Sequence, residues 1–165
     1  MKTRLTEADY VAAAQALGCE VAAIKAVAEV EAAGAGFHST GEPKILFERH
    51  WFSRLTKGKF NTHAPDISNT KAGGYSGGLA EHARLAKAVK LDRNAALQSA
   101  SWGKFQIMGF NFARAGFKTL QEFINAMFTS ERAQLDAFVA FIKADLRLVM
   151  ALRGRNFTRF ASIYN

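Results

Sequence analysis

Apolar side chains in this sequence recur mostly at spacings of three and four, the period of an α-helix, and alternate only briefly. The first such run is expected as a helix over Glu7–Leu17, opened by Thr6 as N-cap with Asp9 three positions on, a variant of the capping box, and ended by Gly18. The second is expected from Val21 to Ala33, with Gly34 as the residue past its end. Phe37–Phe47 reads as extended chain, turn-forming GFHSTGEP running into the short apolar ILF, and Arg49–Leu55 as a short helix. Residues 56–78 carry no apolar period, and a stretch of that length is expected as a mobile loop or lid flanking a cleft. Periodicity resumes over Leu79–Val89 and Arg93–Ala100, and after SWGKFQIMG as a short helix near Phe110–Gly116. Thr119 and Glu122 form a capping box for a helix reaching Phe128. Ser130 caps a long helix from Glu131 to Leu152, with Leu135, Phe138, Val139, Ile142, Leu146 and Val149 on one face. Gly154 separates it from a last helix over Phe157–Tyr164. The fold class is therefore mainly α, with at most a small β-hairpin or short sheet near Phe37–Phe47.

The composition fits a single domain over residues 1–165, with no linker, repeat or low-complexity tract. Apolar residues make up 49% and charged residues 22%, which excludes a disordered chain. No run reaches the roughly 20 apolar residues of a membrane-spanning helix. Thr6, Glu7 and Asp9 fall where an export signal would carry its apolar core, so synthesis in the cytoplasm without such a signal is expected. Cys19 is the one cysteine, which rules out an intramolecular disulfide and a thiolate metal site. The net charge of +8 is unevenly spread: residues 1–42 carry three basic and six acidic side chains, residues 43–165 carry 19 and eight. The basic part suits an anionic partner, whether nucleic acid, anionic lipid or a wall polymer.

On a wheel of about 100° per residue the second helix places Val21, Ile24, Val27 and Val30 on one face. Glu31 falls near the middle of that face, whereas Glu29 points the other way, within i, i+4 reach of Lys25. Burial and the negative end of a helix both raise a carboxyl pKa, the condition for protonating a leaving group. A helix-end glutamate in solvent, or paired with an internal arginine, is the plainer reading, and the wheel alone favours it. Glu48 follows Ile45-Leu46-Phe47 and precedes Arg49 and His50, and by itself reads best as half of a salt bridge. His38, His50, His63 and His82 form no HxxxH or HExxH pair, so no metal is expected. GxSxG, GxxxxGK[ST] and GxGxxG are absent, and none of these patterns points to a cofactor. Tyr75, Trp102 and Tyr164 lie beside glycines or polar residues, where flat rings suit stacking on a sugar or base; for Trp102 a partly buried core place is an equally good reading.

Four runs in order, AVAEVEAAGAGF, EPKILFERHWF, QSASWGKFQIMG and FASIYN, resemble the N-acetylmuramidase domain of bacteriophage endolysins. More distantly they are similar to goose-type lysozymes and lytic transglycosylases. The resemblance implies a lysozyme-like helical fold that cleaves the β-1,4 bond between N-acetylmuramic acid and N-acetylglucosamine in peptidoglycan. By motif position Glu31 takes the place of the catalytic acid, and Glu48 that of a second or a structural carboxylate. Gly103 and Gln106 match the segment that lines the cleft, with Ser101 and Trp102 just before it, and Tyr164 and Asn165 match a terminal Tyr-Asn that reaches the site. The sequence departs from the pattern in having Ala32 where Ser is usual and Lys104-Phe105 where Leu-Gly is usual. The Gly-Pro and further helix that usually follow Tyr-Asn are also missing, which implies a C-terminus that is cut short or unusual. No separate wall-binding module is expected.

The partners implied are peptidoglycan and, for the basic segment, anionic outer-membrane or wall polymers. The protein is expected to be a monomer without a nucleic-acid partner or stable membrane insertion, held in the host cytoplasm until lysis and then active in the periplasm and cell wall. A lytic transglycosylase is the nearest alternative, since it needs one carboxylate and leaves a 1,6-anhydro sugar. A basic nucleic-acid binder would carry its Lys and Arg on helix faces, but here they are scattered without a recognised motif. A membrane-active end built on Arg147, Arg153, Arg155 and Arg159 is a third, for which a core helix with a solvated basic face is the better reading.

Overall fold

Local capping chemistry sets most of the element boundaries in this structure, a computed structural model that describes residues 2, 4–31 and 34–164, residue 31 by its backbone alone. Thr6 accepts a hydrogen bond from the Asp9 N–H and donates its own N–H to the Asp9 carboxylate at 2.8 Å, which starts α1 (Glu7–Leu17). Gly18, at φ +63°, ends it. In α2 (Val21–Glu31) the buried stripe is Ala23, Ile24, Val27 and Ala28. Val30, expected on the buried face, is 79% exposed, because it sits at the edge of that stripe and rims an open groove with Phe157. The i, i+4 pair expected between Lys25 and Glu29 is replaced by an ion pair of Lys25 with Glu7 on α1.

Three short strands form an antiparallel sheet in the order β1 (Ile45–Phe47), β2 (Ala100–Trp102), β3 (Ile107–Met108). Between β1 and β2 lie α3 (Arg49–Leu55), α4 (Ala80–Val89) and α5 (Arg93–Gln98), the last capped by Asp92. Only β1 falls in the segment expected to be extended. Ala100 was expected inside a helix, but α5 stops at Gln98 because Ala100, Ser101 and Trp102 are committed to pairing with Phe47, Leu46 and Ile45. Residues 56–78 contain no helix or strand, yet they are not a free lid. Ala64, Ile67 and Ser68 are buried, Arg49 donates to the carbonyls of Lys71 and Ala72, and Lys87 pairs with Asp66.

A 3-10 turn at Gly109–Asn111 replaces the short helix expected near Phe110–Gly116. It leads to α6 (Leu120–Thr129), opened by the Thr119–Glu122 capping box. The long helix expected over Glu131–Leu152 is broken into α7 (Glu131–Lys143), capped by Ser130, and α8 (Leu146–Arg153). The break is a capping event: the Asp145 carboxylate accepts from the Arg147 N–H at 3.0 Å and begins a new helix. Leu146 is consequently turned out to 69% exposure instead of continuing the α7 core face. The core centres on α7, where Phe138 stacks on Phe105 at 4.3 Å and meets Tyr164 of α9 (Phe157–Tyr164) edge-on. Among the described residues no single helix is long and apolar enough to cross a membrane.

Candidate active site

A cleft of about 470 Å³ opens beside the sheet, its lining including Leu46, Glu48, Ser101, Gln106, Met108 and Tyr164. Strand register explains the wall. Leu46, Ser101 and Met108 are paired across the three strands and so present side chains to one face, while Ile45 and Trp102, paired one position along, face the core. The two-residue period thus separates neighbours that motif position had put together. Ser101 lines the cleft, whereas Trp102 is 1% exposed and its ring N–H donates to the Leu97 carbonyl at 3.1 Å. Trp102 offers no face for stacking on a sugar, which corrects the expectation that it binds substrate.

Glu48 stands between β1 and α3, and its backbone is fixed on both sides. Its N–H donates to the Ser99 carbonyl at 2.9 Å and its own carbonyl accepts from Trp51 and Phe52 at 3.1 Å. The side chain makes no cap bond and, at 16% exposure, is largely buried at the cleft wall. Tyr75 donates its hydroxyl to Glu48 Oε2 at 2.8 Å, and His50 Nδ1 lies 3.2 Å from the same oxygen without hydrogen-bond alignment. Arg49, the neighbour expected as a salt-bridge partner, instead reaches the Lys71 and Ala72 carbonyls. Both contacts to the carboxylate fall on Oε2, so Oε1 is the oxygen available to a ligand or water in the cleft. Tyr75, read from sequence as a stacking residue, is here a donor to Glu48. Burial, with the neighbouring Glu48 charge behind it, pushes its phenol above the usual tyrosine value.

Gln106 occupies the left-handed region at φ +50°, which costs a non-glycine residue about 1 kcal/mol or more. Its amide closes the turn that holds it there: Ser101 Oγ donates to Gln106 Oε1 at 2.7 Å, and Gln106 Nε2 donates to the Gly103 carbonyl at 2.8 Å. Tyr164 reaches the same turn from α9, its hydroxyl donating to the Phe105 carbonyl at 2.7 Å. Ser101, Gln106, Tyr164 and Glu48 are therefore brought to one cleft. The side chain of Glu31 and the whole of Asn165 lie outside the described residues.

Sequence reasoning passed over two buried carboxylates, of which Glu81 organises this site. Glu81 is fully buried on α4 and accepts from the N–H groups of Phe47 at 2.9 Å, Ser76 at 2.6 Å and Gly77 at 3.0 Å, and from Arg84 at 2.8 Å. It ties the residue before Glu48 to the residue after Tyr75 and so sets both ends of the Tyr75–Glu48 bond. Burial pushes its pKa up, but the three backbone donors and Arg84 outweigh that and hold it below the usual carboxylate value. The one trace of this in the sequence is the i, i+3 spacing of Glu81 and Arg84. Glu131, the first residue of α7, is also buried and accepts from the Gly36 N–H at 2.7 Å, 95 residues away. No cluster of three or more metal-ligating side chains is found among the described residues.

A family profile described as N-acetylmuramidase matches residues 20–165. Among solved structures, the crystal structure of Burkholderia AP3 phage endolysin is similar at 44% sequence identity and a TM-score of 0.93, over 98% of this chain and 64% of that one. The chain thus spans less than two thirds of that endolysin. No curated protein matches.

Proposed function

Because this chain belongs to the N-acetylmuramidase family, we propose that it is a lysozyme-type glycoside hydrolase that cuts the β-1,4 bond between N-acetylmuramic acid and N-acetylglucosamine in peptidoglycan. One observation carries the reading: Glu48, largely buried yet opening onto the cleft, shares that cleft with Ser101, Gln106 and Tyr164, so a carboxylate and hydrogen-bonding groups converge on a groove able to take a sugar strand. Glu31 is the proposed general acid, at the C-terminal end of α2, where the helix disfavours the anion. Glu31 gives its proton to the leaving glycosidic oxygen. A water attacks the anomeric carbon and passes its proton to Glu48, the C–O bond breaks, and a new reducing end is left. The side chains of residues 43–165, with their positive excess, favour encounter with anionic wall and outer-membrane polymers. On this reading the protein waits in the host cytoplasm and meets peptidoglycan at lysis.

The test is mass analysis of muropeptides from purified wall digested by wild type, Glu31→Gln and Glu48→Gln. Hydrolysis adds one water at each cut, whereas internal attack by the muramic acid O6 leaves 1,6-anhydro ends lighter by one water. Reducing muramic acid ends from wild type, lost in folded Glu31→Gln, support the proposal. Anhydro ends would make the protein a lytic transglycosylase, and a fully active Glu31→Gln would remove Glu31 from the chemistry.

A further inference from the structure

Resting on the reading of Glu31 as the acid, we propose that the buried pair Lys104–Glu131 is a clamp on the end of α2, and that Lys104 is a positioning residue for catalysis. A glutamate at the first position of a helix ordinarily stays in water and complements the positive helix end. Glu131 does otherwise. Its Oε1 accepts from the Gly36 N–H at 2.7 Å, its Oε2 accepts from the Leu5 N–H at 3.3 Å, and Lys104 Nζ lies 3.6 Å from Oε2. The same ammonium donates to the Gly34 carbonyl at 2.7 Å. One lysine therefore joins the turn after α2 to the turn between β2 and β3 and to α7.

Close packing makes this junction stiff. The Lys104 N–H donates to Gln134 Oε1 at 2.8 Å, and Gln134 Nε2 donates to the Met127 carbonyl at 2.9 Å. A Cβ on Gly103 would stand 2.7 Å from Gln134 Cδ, and one on Gly36 would overlap Gln134 Oε1. Both turns thus pack directly on the Gln134 side chain of α7. The side chains of Lys104 and Glu131 are 14% and 4% exposed, so little water screens their attraction. Gly34 lies three residues past Glu31, so a tether on the Gly34 carbonyl acts close to the C-terminal end of α2. An apolar side chain at position 104 could donate nothing to the Gly34 carbonyl.

The experiment measures kcat and KM for reducing-end release from soluble glycan strands, with melting curves, for wild type, Glu31→Gln, Lys104→Met, Lys104→Arg and the double variant K104M/E131Q. Lys104→Met keeps the stem and loses the ammonium; the double variant removes the buried charge that the single one strands, and so keeps a folded protein for the comparison. In Lys104→Met and the double variant kcat is expected to fall between about tenfold and a hundredfold, the scale of a small misplacement at the reacting centre. KM stays within about twofold, and Lys104→Arg recovers most of the rate. A folded K104M/E131Q protein with wild-type kcat overturns the clamp, as does a loss of rate no larger than the unfolded fraction explains. A fully active Glu31→Gln overturns the acid assignment instead, and the clamp's catalytic role with it.

Discussion

Tyr75 donates its hydroxyl to Glu48 Oε2 at 2.8 Å, joining the irregular 56–78 segment to the end of β1 across 27 residues of chain. The bond engages one carboxylate oxygen, Oε2, and so fixes the orientation of the Glu48 carboxylate at the cleft wall. Burial, reinforced by Glu48, keeps the Tyr75 phenol protonated beyond the pH at which an ordinary tyrosine begins to ionise, and the donor persists through the neutral range.

Tyr75→Phe retains the ring and removes that donor. A hydrogen bond to a charged group is worth about 1.5–3 kcal/mol, so wall cleavage should drop about tenfold or more if the bond orients Glu48 in the transition state. The ring is half exposed, so solvent takes up part of the loss, and the melting temperature should fall by only a few degrees with the fold intact. Turbidity loss and thermal melts check both, and a variant as fast as wild type would show that Glu48 needs no such support.

Glu81 links stability to acidity. Its folded-state pKa is depressed below the ordinary 4.5, so its stabilising contribution is complete above that value and lost as pH falls through the folded value. Glu81→Gln leaves the buried Arg84 without its charge partner and should cost about 3–5 kcal/mol near neutrality. Urea unfolding at pH 7 and pH 3 should show the wild-type advantage shrinking at the lower pH. An equal advantage at both would mean that Glu81 is not held ionised by its neighbours.

The two glutamates near the end of α2 should differ sharply. Glu31→Gln cannot give an acid proton, and cleavage should fall by about 10²–10⁴-fold with the fold intact. Glu29 is exposed, and Lys25 pairs with Glu7 rather than with it, so Glu29→Gln should stay within a few-fold of wild type. Reducing-end release from both variants decides, and a dead Glu29→Gln beside an active Glu31→Gln would reverse the assignment.

Charge steering predicts a salt effect. With 19 basic and eight acidic side chains over residues 43–165, wall clearing should slow as salt rises from low to physiological ionic strength, where charges more than about 8 Å apart are largely screened. Rates on short uncharged glycan fragments should change far less. Equal salt dependence for both substrates would count against steering.

Much of the helical framework was legible because its signals are local. Thr6 and Asp9, Thr119 and Glu122, and Ser130 cap the helices they were expected to cap, and α3 spans the Arg49–Leu55 segment read from the sequence. Asp145 was equally local and was missed, because the apolar period running through Leu146 and Val149 masked a capping residue that splits α7 from α8. Within the candidate site, Ser101, Gln106, Tyr164 and Glu48, singled out by motif position, line one cleft, but motif position could not tell Ser101 from Trp102. Their separation depends on β2 being a strand, and three residues of strand leave almost no periodic trace.

The helical class, the caps at Thr6, Thr119 and Ser130, and the family were legible in the chain itself, since all of them rest on residues three or four positions apart or on short contiguous runs. Tertiary structure alone decided which carboxylates are buried and what holds them: Glu48 with Tyr75 at 27 residues' separation, Glu81 with the Phe47 N–H at 34, Glu131 with the Gly36 N–H at 95. The reason is physical. A helix repays its backbone within one turn, so nearby residues suffice to specify it. A buried charge is tolerated only where remote donors converge on it, and that convergence exists only once the chain has folded.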